Sequence, residues 1–227
     1  MRKLITACMA LAAFGAFAIA PGTASATNDP QLTSPAGTLL ATGSTITGTN
    51  VGETLMTDIN GNILTRCTTA IMSGTVSTNS ASTVAGSITS AKFGGTGSTA
   101  AGAEEPECTG SFGNVTVTTN PATNGLPWCL TSNNTMTTDE VRIRGNGCSS
   151  ASRPIRFVLD STTAGECVYE RSGAIQGTYT TGTASAATVS ISKQEFPRVS
   201  GGFLCPSAGF LDMTFKLTTG GKDAYIS

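Results

Sequence analysis

The chain contains no histidine. That absence removes Ser-His-Asp and Cys-His catalysis, histidine-ligated zinc and the usual proton switch near neutral pH. Charge is scarce too: Asp, Glu, Lys and Arg make up 12% of the residues and nearly cancel, at a formal net charge of −1. So few cations build no electrostatic footprint for nucleic acid or anionic lipid, and no nucleic-acid partner is expected. Aromatics reach only 6%, with a single tryptophan. There are seven cysteines but no Cys-x-x-Cys pair, which leaves a thiolate zinc site without its usual anchor. Beyond the N-terminal segment no stretch carries the 3.6-residue periodicity of an amphipathic helix. An enzyme would have only carboxylates, Ser/Lys, Tyr or an oxygen-bound metal to work with. No cofactor is expected.

What is present begins with an export signal. Met1-Arg2-Lys3 is a basic start, Leu4 to Ala20 an apolar run, Pro21-Gly22 a helix break, and Ala24-Ser25-Ala26 a small-residue cleavage site. Residues 1–26 are therefore expected to be a signal peptide, with Cys8 a small apolar residue inside it. Cleavage would take Arg2 and Lys3 from the 13 basic residues and leave 11 against 14 acidic ones, a net charge of −3. The expected location is secreted, extracellular or at the cell envelope, with no membrane insertion after cleavage.

Residues 27–227 read as β structure. Apolar residues alternate with Thr or Ser, as in Ile63-Leu64-Thr65-Arg66-Cys67, Val115-Thr116-Val117-Thr118, Val141-Arg142-Ile143-Arg144 and Thr188-Val189-Ser190-Ile191-Ser192. A period of two puts one face of each strand in the core and the other in water. Turn signals separate the runs: Asn60-Gly61, Gly94-Gly95, Asn124-Gly125, Gly145-Asn146-Gly147 and Gly201-Gly202. The expected fold is all-β and antiparallel, a sandwich or barrel in a single domain over 27–227.

An internal repeat organises that domain. Cys67 is followed by the strand Ala70–Thr78, a Ser/Thr/Ala turn, the strand Val84–Phe93, Cys108 and a closing strand from Ser111 to Val117. Cys167 is followed in the same order by Ala174–Thr181, a turn, Ala187–Phe196, Cys205 and Ala208–Phe215. The halves run from about 38–120 and 125–227. Six cysteines admit many connectivities. The repeat selects one: Cys67–Cys108 and Cys167–Cys205 as equivalent staples, leaving Cys129–Cys148 to close the hairpin that leads into the second half.

Candidate sites are few. Asp58-Ile59-Asn60-Gly61-Asn62 spaces oxygens like the start of a calcium loop, but Ile63 stands where the loop needs Gly, and a hairpin turn explains the same residues. Glu104-Glu105-Pro106-Glu107 and Asp139-Glu140 are acidic and read as solvated loops. Arg142 and Arg144 share one strand face. If the strand carrying Arg153 and Arg156 pairs with theirs, the guanidiniums converge into a carboxylate- or phosphate-recognising patch. Trp128 offers either a stacking surface for a ligand or a core anchor beside Cys129. The expected ligand residues are therefore Arg142, Arg144, Arg156 and Trp128, with no catalytic residue and no metal ligand.

The strings Ala70-Ile71-Met72-Ser73-Gly74-Thr75-Val76, Gly86-Ser87-Ile88-Thr89-Ser90-Ala91-Lys92-Phe93, Asn114-Val115-Thr116-Val117 and Gly125-Leu126-Pro127-Trp128 resemble a loose group of uncharacterised secreted β-rich proteins of actinobacteria. The likeness covers most of the chain after the signal. It is fainter to small secreted bacterial proteins described as accessory to alkane oxidation, which also set paired cysteines around Thr/Gly-rich strands. Neither resemblance carries a functional residue over. The expected role is a non-catalytic binding or structural module with a cell-envelope or small-ligand partner. The alternative is a carboxylate-dependent extracellular hydrolase.

Overall fold

The computed structural model describes residues 30–95, 107–119, 125–136, 139–148, 153–181 and 185–226. The expected signal peptide, Glu104-Glu105-Pro106 and the link at 121–124 lie outside them. Among the described residues there is no helix. In chain order the strands are β1 (Leu32–Thr33), β2 (Thr45–Asn50), β3 (Thr54–Thr57), β4 (Ile63–Cys67), β5 (Thr69–Ser80), β6 (Thr83–Gly94), β7 (Cys108–Gly110), β8 (Gly113–Thr118) and β9 (Trp128–Asn133). There follow β10 (Glu140–Arg144), β11 (Ile155–Ser161), β12 (Gly165–Arg171), β13 (Ile175–Tyr179), β14 (Thr188–Gly201), β15 (Ala208–Thr219), β16 (Lys222–Asp223) and β17 (Tyr225–Ile226). Every ladder between them is antiparallel. The two-residue alternation holds: β11 and β15 bury every second side chain along most of their length.

The hydrogen-bonded order closes on itself twice. One ring runs β15-β2-β5-β6-β9-β10-β13-β14 and returns to β15. The other runs β14-β12-β11-β8-β7-β4-β3-β15 and returns to β14. We call them the first and second ring. Both use the long β14–β15 ladder. The first takes its Thr188–Ile191 end, paired to Met213–Lys216, and the second its Gln194–Pro197 end, paired to Ala208–Leu211. Closure leaves few unpaired edges for another chain to extend.

Between those two ends the ladder shifts register, and Lys193 sits there at φ 46°. A bulge of this kind bends a strand and sharpens its twist. Asp212 stabilises it from the facing strand, accepting from Ser192 Oγ at 2.9 Å and from the Lys193 backbone N at 3.0 Å.

The pairings fall into two matching sets. In β2 to β9 the ladders are β2–β5, β5–β6, β6–β9, β3–β4, β4–β7 and β7–β8. From β10 onward they are β10–β13, β13–β14, β14–β15, β11–β12, β12–β14 and again β14–β15. The long β14 stands in for β6 and β7 together, and β15 for β8 and β9. The cross-links match as well: β9–β10 corresponds to β15–β2, and β8–β11 to β15–β3. Neither set closes a ring alone, because each ring takes strands from both. On this correspondence β9 groups with the first set of ladders.

The cysteines pair as Cys67–Cys108, Cys129–Cys148 and Cys167–Cys205. The first and third link the equivalent β4/β7 and β12/β14 neighbourhoods. The second ties β9 to the segment after β10, across the junction of the two sets. Three intramolecular bonds of this kind belong to an oxidising environment.

The rings meet on an aromatic cluster. Phe157 of β11 packs against Phe196 at 5.2 Å, Phe93 at 5.8 Å and Trp128 at 5.9 Å, all tilted or edge-on. Such geometry sets the positive edge of one ring against the negative face of the next. At the far end of the first ring, β1 and β17 form their own two-stranded sheet, with Leu32 opposite Ile226 and Thr33 opposite Tyr225. Asn79 of β5 holds β1 there. Its Oδ1 accepts from Leu32 N at 2.9 Å, and its Nδ2 donates to Leu32 O at 2.7 Å and to Leu40 O at 2.9 Å.

Candidate functional site

The structure separates the four residues expected to form a ligand patch. Arg142 and Arg144 do share the outer face of β10, since Val141 and Ile143 point inward and are buried. The ladder partners of β10, however, are β9 and β13. β11, which carries Arg156, lies in the other ring between β8 and β12. Only the Arg153 backbone reaches the end of β10, through a bridge to Gly145. Arg142 pairs with Glu140 at 2.6 Å, and Arg156 with Glu170 at 2.6 Å. Both carboxylates are largely covered while the guanidiniums stay partly in water, and pairs of this kind contribute on the order of 1 kcal/mol each. The expected convergence is thus corrected: the chain passes from one ring to the other between β10 and β11, and that carries the arginines apart. Trp128 is corrected also. It is 0% exposed in the aromatic cluster, so its indole is a core anchor and offers no face to a ligand at the surface.

The Asp58–Asn62 segment is the β3–β4 hairpin turn, with Gly61 at φ 84°. Asp58 accepts from the backbone N of Asn60 and of Asn62, both at 2.8 Å, and from Asn62 Nδ2 at 2.7 Å. The Asn62 side-chain amide, with smaller help from the turn's other donors, holds its carboxyl below the usual value against a small desolvation effect. Its oxygens are committed to the turn. Tyr169 is no acid–base candidate at ordinary pH either, because burial pushes its hydroxyl up to about 12. That hydroxyl donates to Pro206 O at 3.3 Å.

The chemistry of the fold lies instead inside the first ring. There the structure holds a cavity of about 90 Å³ to which all eight strands contribute lining residues. Its walls are apolar, with Ile46, Met72, Val84, Val189, Phe215 and Leu217 among them. No Asp, Glu, Lys or Arg lines it. The Ser132 hydroxyl in the wall already donates to Glu140 O at 2.7 Å. Leu32 and Ile226 of the terminal sheet reach its far end.

The second ring has the same strand count and is filled. Met56, Leu64, Val115, Phe157 and Tyr169 crowd its interior with two of the disulfides, and the void against its wall is only about 10 Å³. On three adjacent strands of the first ring, Gly48, Gly74 and Gly86 line the cavity, each where chains approach closely: a Cβ at Gly74 would run into the Ser87 backbone O, and one at Gly86 would come within 3.2 Å of Thr75 O. At Gly48 a Cβ would come within 3.3 Å of Phe215 Cβ, so glycine lets that ring lie flat on β2. An eight-stranded barrel is just wide enough either to be filled by its own side chains or to hold one small ligand. This protein has one ring of each kind.

The cavity residues were not singled out from the sequence. The available signal was glycine in strand interiors: Thr47-Gly48-Thr49, Ser73-Gly74-Thr75 and Ala85-Gly86-Ser87. A glycine inside a strand pattern marks a bulge or a close approach. One sequence does not reveal that three of them line one cavity from adjacent strands. Comparison of the chain with protein-family models, with curated proteins and with solved structures finds no match.

Proposed function

We propose that this is a secreted or envelope-associated, non-catalytic binding protein whose ligand occupies the lumen of the first ring. The observation that carries the reading is the unfilled lumen beside a filled twin. An empty apolar cavity of 90 Å³ costs about 2 kcal/mol of stability. Adding methyl groups at the lumen positions would recover most of that, as the second ring's packing illustrates. A cavity kept at such a cost is what a binding protein needs before its ligand arrives. Three disulfides and the N-terminal signal pattern support export. The matching sets of ladders support a duplicated module, one product of which is a paired ring that closes around a lumen.

The hydrolase alternative draws less support. It needs two carboxyls facing one cleft, and no carboxylate lines the lumen. The test is to isolate the protein from the culture medium of its source, extract it with organic solvent and identify what is released by mass spectrometry. The reading expects about one small molecule per chain. Protein that releases nothing, and that hydrolyses glycan or ester substrates in a carboxylate-dependent way, would overturn it.

A further inference from the structure

Resting on that reading, we infer that the lumen takes a compact, uncharged, apolar molecule of about the size of benzene, and that it enters beneath the β1–β17 sheet. The lining chemistry sets the class. A carboxylate or ammonium inside would find no opposite charge on any wall and would lose its hydration without replacement. A molecule needing several hydrogen bonds would fare little better, since Ser73, Thr75, Ser87 and Tyr179 also line the cavity yet the surface facing it is almost wholly carbon, and the Ser132 hydroxyl is already engaged. Apolar atoms of a ligand, by contrast, gain contact with Val84, Val189, Ile191 and Phe215 and leave nothing unsatisfied. Volume sets the size: an engineered apolar cavity of about 150 Å³ stays dry and accepts benzene. The 90 Å³ lumen is somewhat tighter. A benzene-sized guest therefore needs a small outward movement of one wall.

The wall able to move is the terminal sheet. It pairs through only two residues on each side, and it is tied to the ring by the Asn79 side chain and by the Ala224 backbone bonds to Ala187 and Leu217. The ring itself is a closed set of ladders, and its inner end rests on the aromatic cluster. The sheet also contains a local deficit, because the buried Thr33 hydroxyl has no hydrogen-bond partner. Withdrawing Leu32 and Ile226 opens the lumen at that end by releasing the Asn79 bonds to β1, without breaking any ladder of the ring.

Benzene and benzoate serve as matched probes on the full mature chain, by calorimetric titration and by NMR exchange. Benzene is expected to bind once per chain, and benzoate at least about 30-fold more weakly. Val84→Ile with Val189→Ile adds two methyl groups to the lumen and is expected to weaken benzene at least about 10-fold while the protein melts at higher temperature. Ile226→Ala, at the edge of the sheet, is expected to speed benzene exchange at least about 5-fold with a smaller change in affinity. Benzoate binding as well as benzene would overturn the apolar class and leave the binding reading standing. Unchanged exchange in Ile226→Ala would overturn the access route. If neither probe binds while the secreted protein releases a polar molecule on extraction, the class falls alone. If nothing binds and nothing is released, the binding reading falls with it.

Discussion

The three disulfides differ in what they hold, and their removal should cost unequal amounts. Closing a loop in the unfolded chain removes entropy that grows with the logarithm of its length. The separations are 41 residues for Cys67–Cys108, 38 for Cys167–Cys205 and 19 for Cys129–Cys148. The corresponding stabilisations are about 4, about 4 and about 3 kcal/mol. Burial adds to the contrast. Cys67, Cys108, Cys167 and Cys205 are all in the core, whereas Cys148 is exposed beside buried Cys129. Each buried sulfur replaced by alanine leaves a methyl-sized void costing about 1 kcal/mol. The totals become about 6, about 6 and about 4 kcal/mol. The first bond has one further duty. The β4–β7 ladder it backs rests on a single residue pair, Arg66 with Thr109, while β12 and β14 share three. Without Cys67–Cys108 the second ring is held shut at that seam by that pair and the Ser111 N to Ile63 O hydrogen bond. The expected order of loss for the double-alanine variants is Cys67/Cys108 first, then Cys167/Cys205, then Cys129/Cys148. Urea unfolding of residues 27–227 under non-reducing conditions reads it directly. A Cys129/Cys148 variant at least as destabilised as the Cys67/Cys108 one would refute the argument from loop length and ring closure.

Three other outcomes follow from the same packing. Phe157→Ala removes the hub of the aromatic cluster and should cost about 4–5 kcal/mol by urea unfolding, since it leaves a cavity and breaks three ring contacts; a loss under about 2 kcal/mol would mean the cluster is not the junction of the rings. Asn79→Ala removes the acceptor of Leu32 N, while Leu32 O keeps its bond from Leu40 N, so hydrogen exchange at Leu32 should accelerate by about tenfold or more while β6 and β15 keep their protection. For Asp58 the folded-state pKa is depressed, so its contribution to stability is present above the usual value of 3.8 and fades as pH falls through the lower folded value. Wild type should therefore exceed Asp58→Ala in urea midpoint near pH 6, and the gap should narrow under strongly acidic conditions; a gap that widens in acid would reverse the sign.

Much of the fold was legible because the relevant forces are local. Alternation in Val141–Arg144 and Thr188–Ser192 marks strands whatever they pair with, and Asn60-Gly61 announces the β3–β4 turn. The cysteine pairing was legible for another reason: the order of strands and cysteines after Cys67 recurs after Cys167, and equivalent segments form equivalent bonds. Ring closure was not legible. It depends on β15 pairing with β2 and β3 far back in the chain, and on a bulge at Lys193 that no glycine announces. The arginine patch failed for a related reason. Strands adjacent in sequence usually pair. β10 and β11 do not, because the chain changes rings between them. For Trp128 the core anchor was the better-supported reading beside the ligand surface, and its packing against Phe157, distant in sequence, decided the matter.

The most direct measurement of the central claim is a crystal structure of residues 27–227 under xenon pressure. Xenon enters apolar cavities without needing a hydrogen-bond partner. The account predicts one ordered xenon site in the lumen of the first ring, within van der Waals reach of Val84 and Phe215, and none inside the second. Xenon in neither ring, or ordered water filling the first, would contradict the existence of an apolar lumen and remove the basis for the ligand site.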